Sequence, residues 1–255
     1  MNLFALTAAE LKKIRRSFIL PLLFVPLVIL WVPNIINADK SLTPVMAGIT
    51  PENNFFIQSF MGFAWFIFPA SIIVCTVLLQ QLEQKNKGLL KMLALPINPR
   101  LQCLAKFLVL VLLAFIQAAA MTGLYFLCAR IASSYVGAGL MAQTGMVLRI
   151  SGTLFLSSLP MMALYWLMSV CLTTPVFSIG LGLATMVPSV LLMNTKLWFL
   201  YPPCYPFYVV TSNYMKLSTD PDSAIDLVPW VPAAAGISIL CLLIACLAFG
   251  HRERK

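Results

Sequence analysis

The feature that most constrains this chain is a set of long stretches without a charged residue: Ser17 to Ala38, Asn53 to Leu82, Phe107 to Ala129, Ile150 to Thr195 and Leu227 to Gly250. A helix rises about 1.5 Å per residue, so roughly 20 such residues match the hydrocarbon thickness of a bilayer. The stretch from Ile150 to Thr195 is 46 residues long, enough for two spans. It is divided by Thr173-Thr174-Pro175, and a capping residue followed by proline at the first helical position starts a new helix. Thr50-Pro51 and Asn98-Pro99 repeat that signal ahead of the second and third spans. The reading is an all-α integral membrane protein forming a single transmembrane domain. Its six transmembrane helices are expected at about 17–38, 54–80, 107–129, 150–171, 175–196 and 228–250.

Composition agrees, with 61% hydrophobic and 10% charged residues against about a quarter charged in soluble proteins. The net charge of +9 suits a nucleic-acid partner only until the charges are sorted by loop. With the N-terminus inside, twelve Lys and Arg fall on the inner side and five (Lys40, Arg130, Arg149, Lys196 and Lys216) on the outer. Positive residues are held on the cytoplasmic side, so both termini are expected inside. The excess charge is then topogenic, and no nucleic acid is implied. Trp31, Trp198 and Trp230 fall at expected outer ends of spans, where aromatic residues anchor helices at the interface.

Several functions lack their chemistry. The Ser17–Ala38 run is too long for a signal peptide and carries no A-x-A site, so it reads as a retained span. The seven cysteines show no C-x-x-C pair and read as small hydrophobes, with no disulfide framework and no metal site. Cys204 is the least clear of them. The sole histidine, His251, lies in the tail, and the expected spans hold no ionisable residue. Ion-coupled carriers and intramembrane enzymes are therefore disfavoured, since both place such groups at membrane depth. No G-x-x-x-x-G-K-[ST] phosphate loop occurs, so any ATP hydrolysis belongs to another subunit and no catalytic residue or cofactor is assigned here.

The segment Glu83 to Lys106 is the only sizeable cytoplasmic loop. Leu89 to Leu95 are good helix formers and Pro96 stops them, which predicts a two-turn helix at the membrane surface. Its apolar side, Leu89, Met92 and Leu93, suits a partner's groove while Lys87 and Lys91 stay wet; it equally suits anionic lipid. Glu83, Gly88, a leucine-rich helix, then Leu95-Pro96-Ile97 and Arg100 resemble the permease subunits of ABC type-2 exporters. Among those, the chain is similar to lantibiotic-immunity permeases, which protect a cell from peptide antibiotics and share this length and layout. Asn98-Pro99 departs from the family's more usual Ser or Asp.

The resemblance implies that Glu83, Gly88, Leu89, Met92, Leu93 and Pro96 form a coupling helix docking on an ATP-binding-cassette ATPase. It further implies two ATPase copies carrying ATP and Mg, a second permease copy or paralogue, and a bacterial plasma membrane. The implied activity is export of an amphiphilic or peptide substrate. The alternative from another class is a non-transporting scaffold for a cytoplasmic partner.

Leu3, Phe4, Thr7, Ala8, Leu11 and Ile14 share one helical face, predicting an N-terminal interfacial helix over 1–16. The stretch 197–227 carries an apolar run, Phe199 to Val210, broken by three prolines. It cannot span, and irregular backbone at membrane depth must be satisfied by protein or water. A re-entrant segment or a folded outer loop is expected. Candidates for a translocation path are uncharged polar residues in spans: Gln58, Ser71, Gln117, Tyr165 and Asn194. Helix-to-helix hydrogen bonding is their more common role. Ala119 with Gly123 and Gly180 with Ala184 are small-residue pairs that permit close packing, and Pro21, Pro26, Pro69, Pro160 and Pro188 predict kinks.

Overall fold

Three helices begin at their cap-and-proline pairs, with Thr50, Asn98 and Thr174 as caps and Pro51, Pro99 and Pro175 in the first turn. Only the Asn98 side chain closes a cap, accepting from the Arg100 N–H at 3.1 Å. The computed structural model describes residues 2–14, 17–43, 48–84, 98–172, 174–218 and 227–252. Among these there is no strand, and six helices are long and apolar enough to cross a bilayer: Ile19–Ile36, Pro51–Leu82, Pro99–Val136, Thr144–Cys171, Pro175–Leu192 and Leu227–Gly250. They are spans one to six below.

Span three is one unbroken helix of 38 residues, about 57 Å long, so it projects well beyond a hydrocarbon core of about 30 Å. It ends at Gly137, whose φ of 72° is the left-handed cap that glycine adopts without strain. Tyr125, midway along its outer half, gathers Trp31, Phe55, Phe56 and Phe60 with ring centroids 5.1–6.4 Å apart. Its hydroxyl accepts from the Ala142 N–H at 2.8 Å, tying down the connection to span four. Trp31 is therefore core, not an interfacial anchor.

Prolines mark three interruptions. In span two, Phe63–Ile67 forms a π-helical turn just before Pro69, with the Phe68 N–H reaching the Phe63 carbonyl. Span four breaks at Ser158, two residues before Pro160, into Thr144–Ser157 and Leu159–Cys171. Span five breaks at 185–186 ahead of Pro188, into Pro175–Ala184 and Val187–Leu192. Each proline lacks the N–H that the carbonyl four residues earlier would use, so the helix yields there. Pro26, by contrast, lies within the unbroken helix of span one.

After span five come two 3-10 turns, Trp198–Leu200 and Pro202–Cys204, then the outer helix Tyr205–Leu217. This helix packs on the first halves of spans two and four. Its Phe207 ring lies 6.5 Å from that of Trp65, whereas the Tyr214 hydroxyl donates to Asn54 Oδ1 at 3.3 Å. It thus runs antiparallel to span two, its start level with Trp65, about 20 Å of helix from Pro51. Pro202, Pro203, Cys204 and Tyr205 are buried, which is how irregular backbone survives at such depth. Trp198 stacks on Tyr208 at 3.8 Å and Trp230 packs on both, at 5.4 and 6.0 Å. Trp230 is buried in this cluster and Trp198 half-buried, so Trp230 packs on the segment where an interfacial anchor was expected.

The N-terminal helix Leu3–Ile14 packs on span three through Leu6, Glu10 and Ile14. Its buried face is rotated from the expected apolar one, and Phe4 is 85% exposed. The reason is Glu10, which finds a cation inside the bundle. The expected small-residue pairs are likewise not the close contacts, since a Cβ on Gly123 or Gly180 would meet nothing within 4 Å. Gly182 is: a Cβ there would lie 2.7 Å from the Ile73 side chain of span two.

Candidate functional site

At the inner end, spans two and three stand on either side of the expected coupling segment. Span two's helix runs through Gln84 and span three's starts at Pro99. Gly88, Leu89, Met92, Leu93 and Pro96 lie outside the described residues, and of Glu83 only the helical backbone is described. The flanks are joined by Lys106, seven residues into span three and 0% exposed. Its ammonium donates to the Leu79 carbonyl of span two at 3.2 Å and to Glu10 Oε2 at 3.4 Å. Glu10 Oε1 accepts from Lys13 at 2.5 Å.

Lys106 and Arg149 stand one residue before the expected starts of spans three and four, and the helices Pro99–Val136 and Thr144–Cys171 extend past the charge-free windows to include them. A buried cation needs a counter-charge and filled hydrogen bonds, and the N-terminal helix supplies them. The signal was present, since Cys103, Lys106, Leu110, Leu113 and Gln117 recur at helical spacing and all are buried.

The candidate path residues separate. Gln117, 0% exposed, donates through Nε2 to Ser71 Oγ at 2.9 Å and to the Leu23 carbonyl at 3.3 Å. Ser71 in turn donates to the Ile67 carbonyl at 2.7 Å. These two residues knit spans one, two and three at mid-depth, the usual use of polar groups between membrane helices. Gln58 is exposed on span two and Asn194 is exposed beyond span five.

Tyr165 belongs to a second junction. Its hydroxyl accepts from Thr185 Oγ1 at 3.3 Å, and the Thr185 carbonyl accepts from the Tyr201 hydroxyl at 2.6 Å. That carbonyl is free because Ser189 N–H turns to Met186 instead, at 3.2 Å. The break in span five is thereby sealed by the segment that follows it. Burial raises the Tyr201 phenol above its ordinary value, so the donating proton stays. Cys204 is a free buried thiol donating to the Tyr201 and Trp198 carbonyls at 3.0 and 3.3 Å; burial pushes it up to about 12.

Six helices long and apolar enough to cross a bilayer define a multi-pass membrane protein. The chain matches the model of the family described as ABC-2 family transporter protein over residues 6–189, from the N-terminal helix into span five, and it belongs to that family. It is thus a permease component of an ABC transporter, a class that works with an ATP-binding-cassette ATPase. None of the curated proteins matches it.

Proposed function

We propose that this permease exports an amphiphilic substrate, such as a lantibiotic or other lipid-seeking peptide, out of the bacterial plasma membrane. Two permeases, identical or paralogous, pair with two ATPase subunits that bind ATP and Mg, and residues 83–106 dock on the ATPase through Leu89, Met92 and Leu93. The observation that carries the reading is the Lys106 clamp. One ammonium holds the N-terminal helix, the end of span two and the start of span three together, on both flanks of the docking segment. A push delivered there moves three elements as one body, because breaking a buried ion pair costs about 3–5 kcal/mol.

The test is replacement of Leu89, Met92 and Leu93 by Ser or Gln, followed in vesicles by permease insertion, ATPase co-purification and substrate-stimulated ATP hydrolysis. Insertion is expected to persist while co-purification and stimulation fall at least tenfold. Unchanged stimulation overturns the docking assignment, and ATPase binding that ignores nucleotide and substrate favours the scaffold.

A further inference from the structure

Span five consists of two helical pieces that share little backbone bonding. The residue four past Ala184 is Pro188, which has no N–H for the Ala184 carbonyl. The Ser189 N–H turns to Met186 at 3.2 Å, so the Thr185 carbonyl also loses its partner within the helix. A tight bond from the Met186 N–H to the Leu183 carbonyl, at 3.0 Å, bridges the joint. A helix interrupted in this way bends at the interruption.

The two pieces are held differently. The first, Pro175–Ala184, packs on the Phe68–Gln84 part of span two and on Leu159–Cys171 of span four, with Gly182 pressed against Ile73. Thr185 stays with this piece, because its Oγ1 donates to the Gly182 carbonyl at 2.6 Å and to the Tyr165 hydroxyl at 3.3 Å. The second piece, Val187–Leu192, packs on the turn Pro202–Cys204. Its Ser189 is buried, whereas Val187 and Leu191 are 68% and 73% exposed. Past its end Met193 Sδ accepts from Thr211 at 3.5 Å, and a thioether is a weak acceptor. The strong tie at the joint is the Tyr201 hydroxyl, which donates to the Thr185 carbonyl at 2.6 Å from one residue ahead of that turn.

We infer that Val187–Leu192 is a flap hinged at residues 185–186, and that the Tyr201 hydroxyl on the Thr185 carbonyl is the catch that holds it shut. The flap's exposed side faces away from the bundle, so it swings outward while the first piece stays seated on Ile73. The hinge lies ten residues past Pro175, about 15 Å along the helix and half of a hydrocarbon core of about 30 Å. An open flap therefore makes a side entrance to the bundle at mid-depth. For an amphiphilic cargo, the reading on which this use of the flap rests, that entrance is a way between lipid and protein.

Hydrogen exchange of the purified permease in lipid nanodiscs, read by mass spectrometry, tests the joint by comparing the parent with Tyr201→Phe and Pro188→Ala. Without the catch, the amides of residues 187–193 are expected to exchange at least tenfold faster, while those of 176–184 keep the parent's rate. Pro188→Ala returns an N–H to the Ala184 carbonyl and is expected to slow the 187–193 amides about threefold or more. Acceleration of both pieces together in Tyr201→Phe, or of neither, overturns the flap. An unchanged rate in Pro188→Ala overturns the hinge even where Tyr201→Phe fails to fold. Neither ATPase nor cargo is present in this assay, so its failure and that of the docking experiment are separate results.

Discussion

Lys106 Nζ lies 3.4 Å from Glu10 Oε2 although the two residues are 96 positions apart, and both side chains are at least 95% buried. The pair makes the N-terminal helix a part of the bundle and not merely a float on its surface.

Removing one partner should leave the other charge stranded. Lys106→Met is expected to destabilise the permease by about 3 kcal/mol or more, and the double variant Glu10→Leu with Lys106→Met to recover most of that loss. Thermal denaturation in detergent measures both, and equal loss in the double variant would show that Glu10 is not the counter-charge.

Gly182 of span five packs tightly against the Ile73 side chain of span two. Gly182→Val should cost about 1–3 kcal/mol by driving into Ile73, whereas Gly180→Val should stay within about 0.5 kcal/mol. Protease resistance and thermal melting of the two variants distinguish them.

Tyr201→Phe removes the donor that satisfies the Thr185 carbonyl at the break in span five. A loss of about 1–3 kcal/mol is expected, together with faster hydrogen exchange in residues 198–217. Exchange unchanged from the parent would mean that water replaces the phenol.

The Cys204 thiol should resist alkylation. Burial raises it from about 9 toward about 12, so the folded protein stays protonated through the window in which the unfolded chain ionises. N-ethylmaleimide at pH 9 should modify Cys204 only after denaturation. In a variant retaining Cys171 and Cys204 alone, exposed Cys171 should react first.

The spans and their proline starts were legible because they depend on composition along the chain. Ser71 and Gln117 were singled out as polar residues inside spans, but their direct hydrogen bond and that of Gln117 to the Leu23 carbonyl were not, since a hydrogen bond needs a distance and a direction that spacing does not carry. Tyr165 was likewise visible, while Tyr201 and Thr185, which define its role, lay in a loop and at the break ahead of Pro188. Lys106 was missed for a plainer reason: counting charge-free windows stops at the first charge, although the helix and its buried stripe continue past it.

What the sequence alone determined is the set of stretches long and apolar enough to cross a bilayer and the proline positions at which helices start. Both follow from free energies counted residue by residue: apolar transfer and proline's missing N–H. Only the tertiary structure decided that Glu10 meets Lys106 and that the 198–217 segment folds back against Thr185 and Asn54. Those relationships join residues distant in sequence, and burial raises the cost of leaving any such group unpaired.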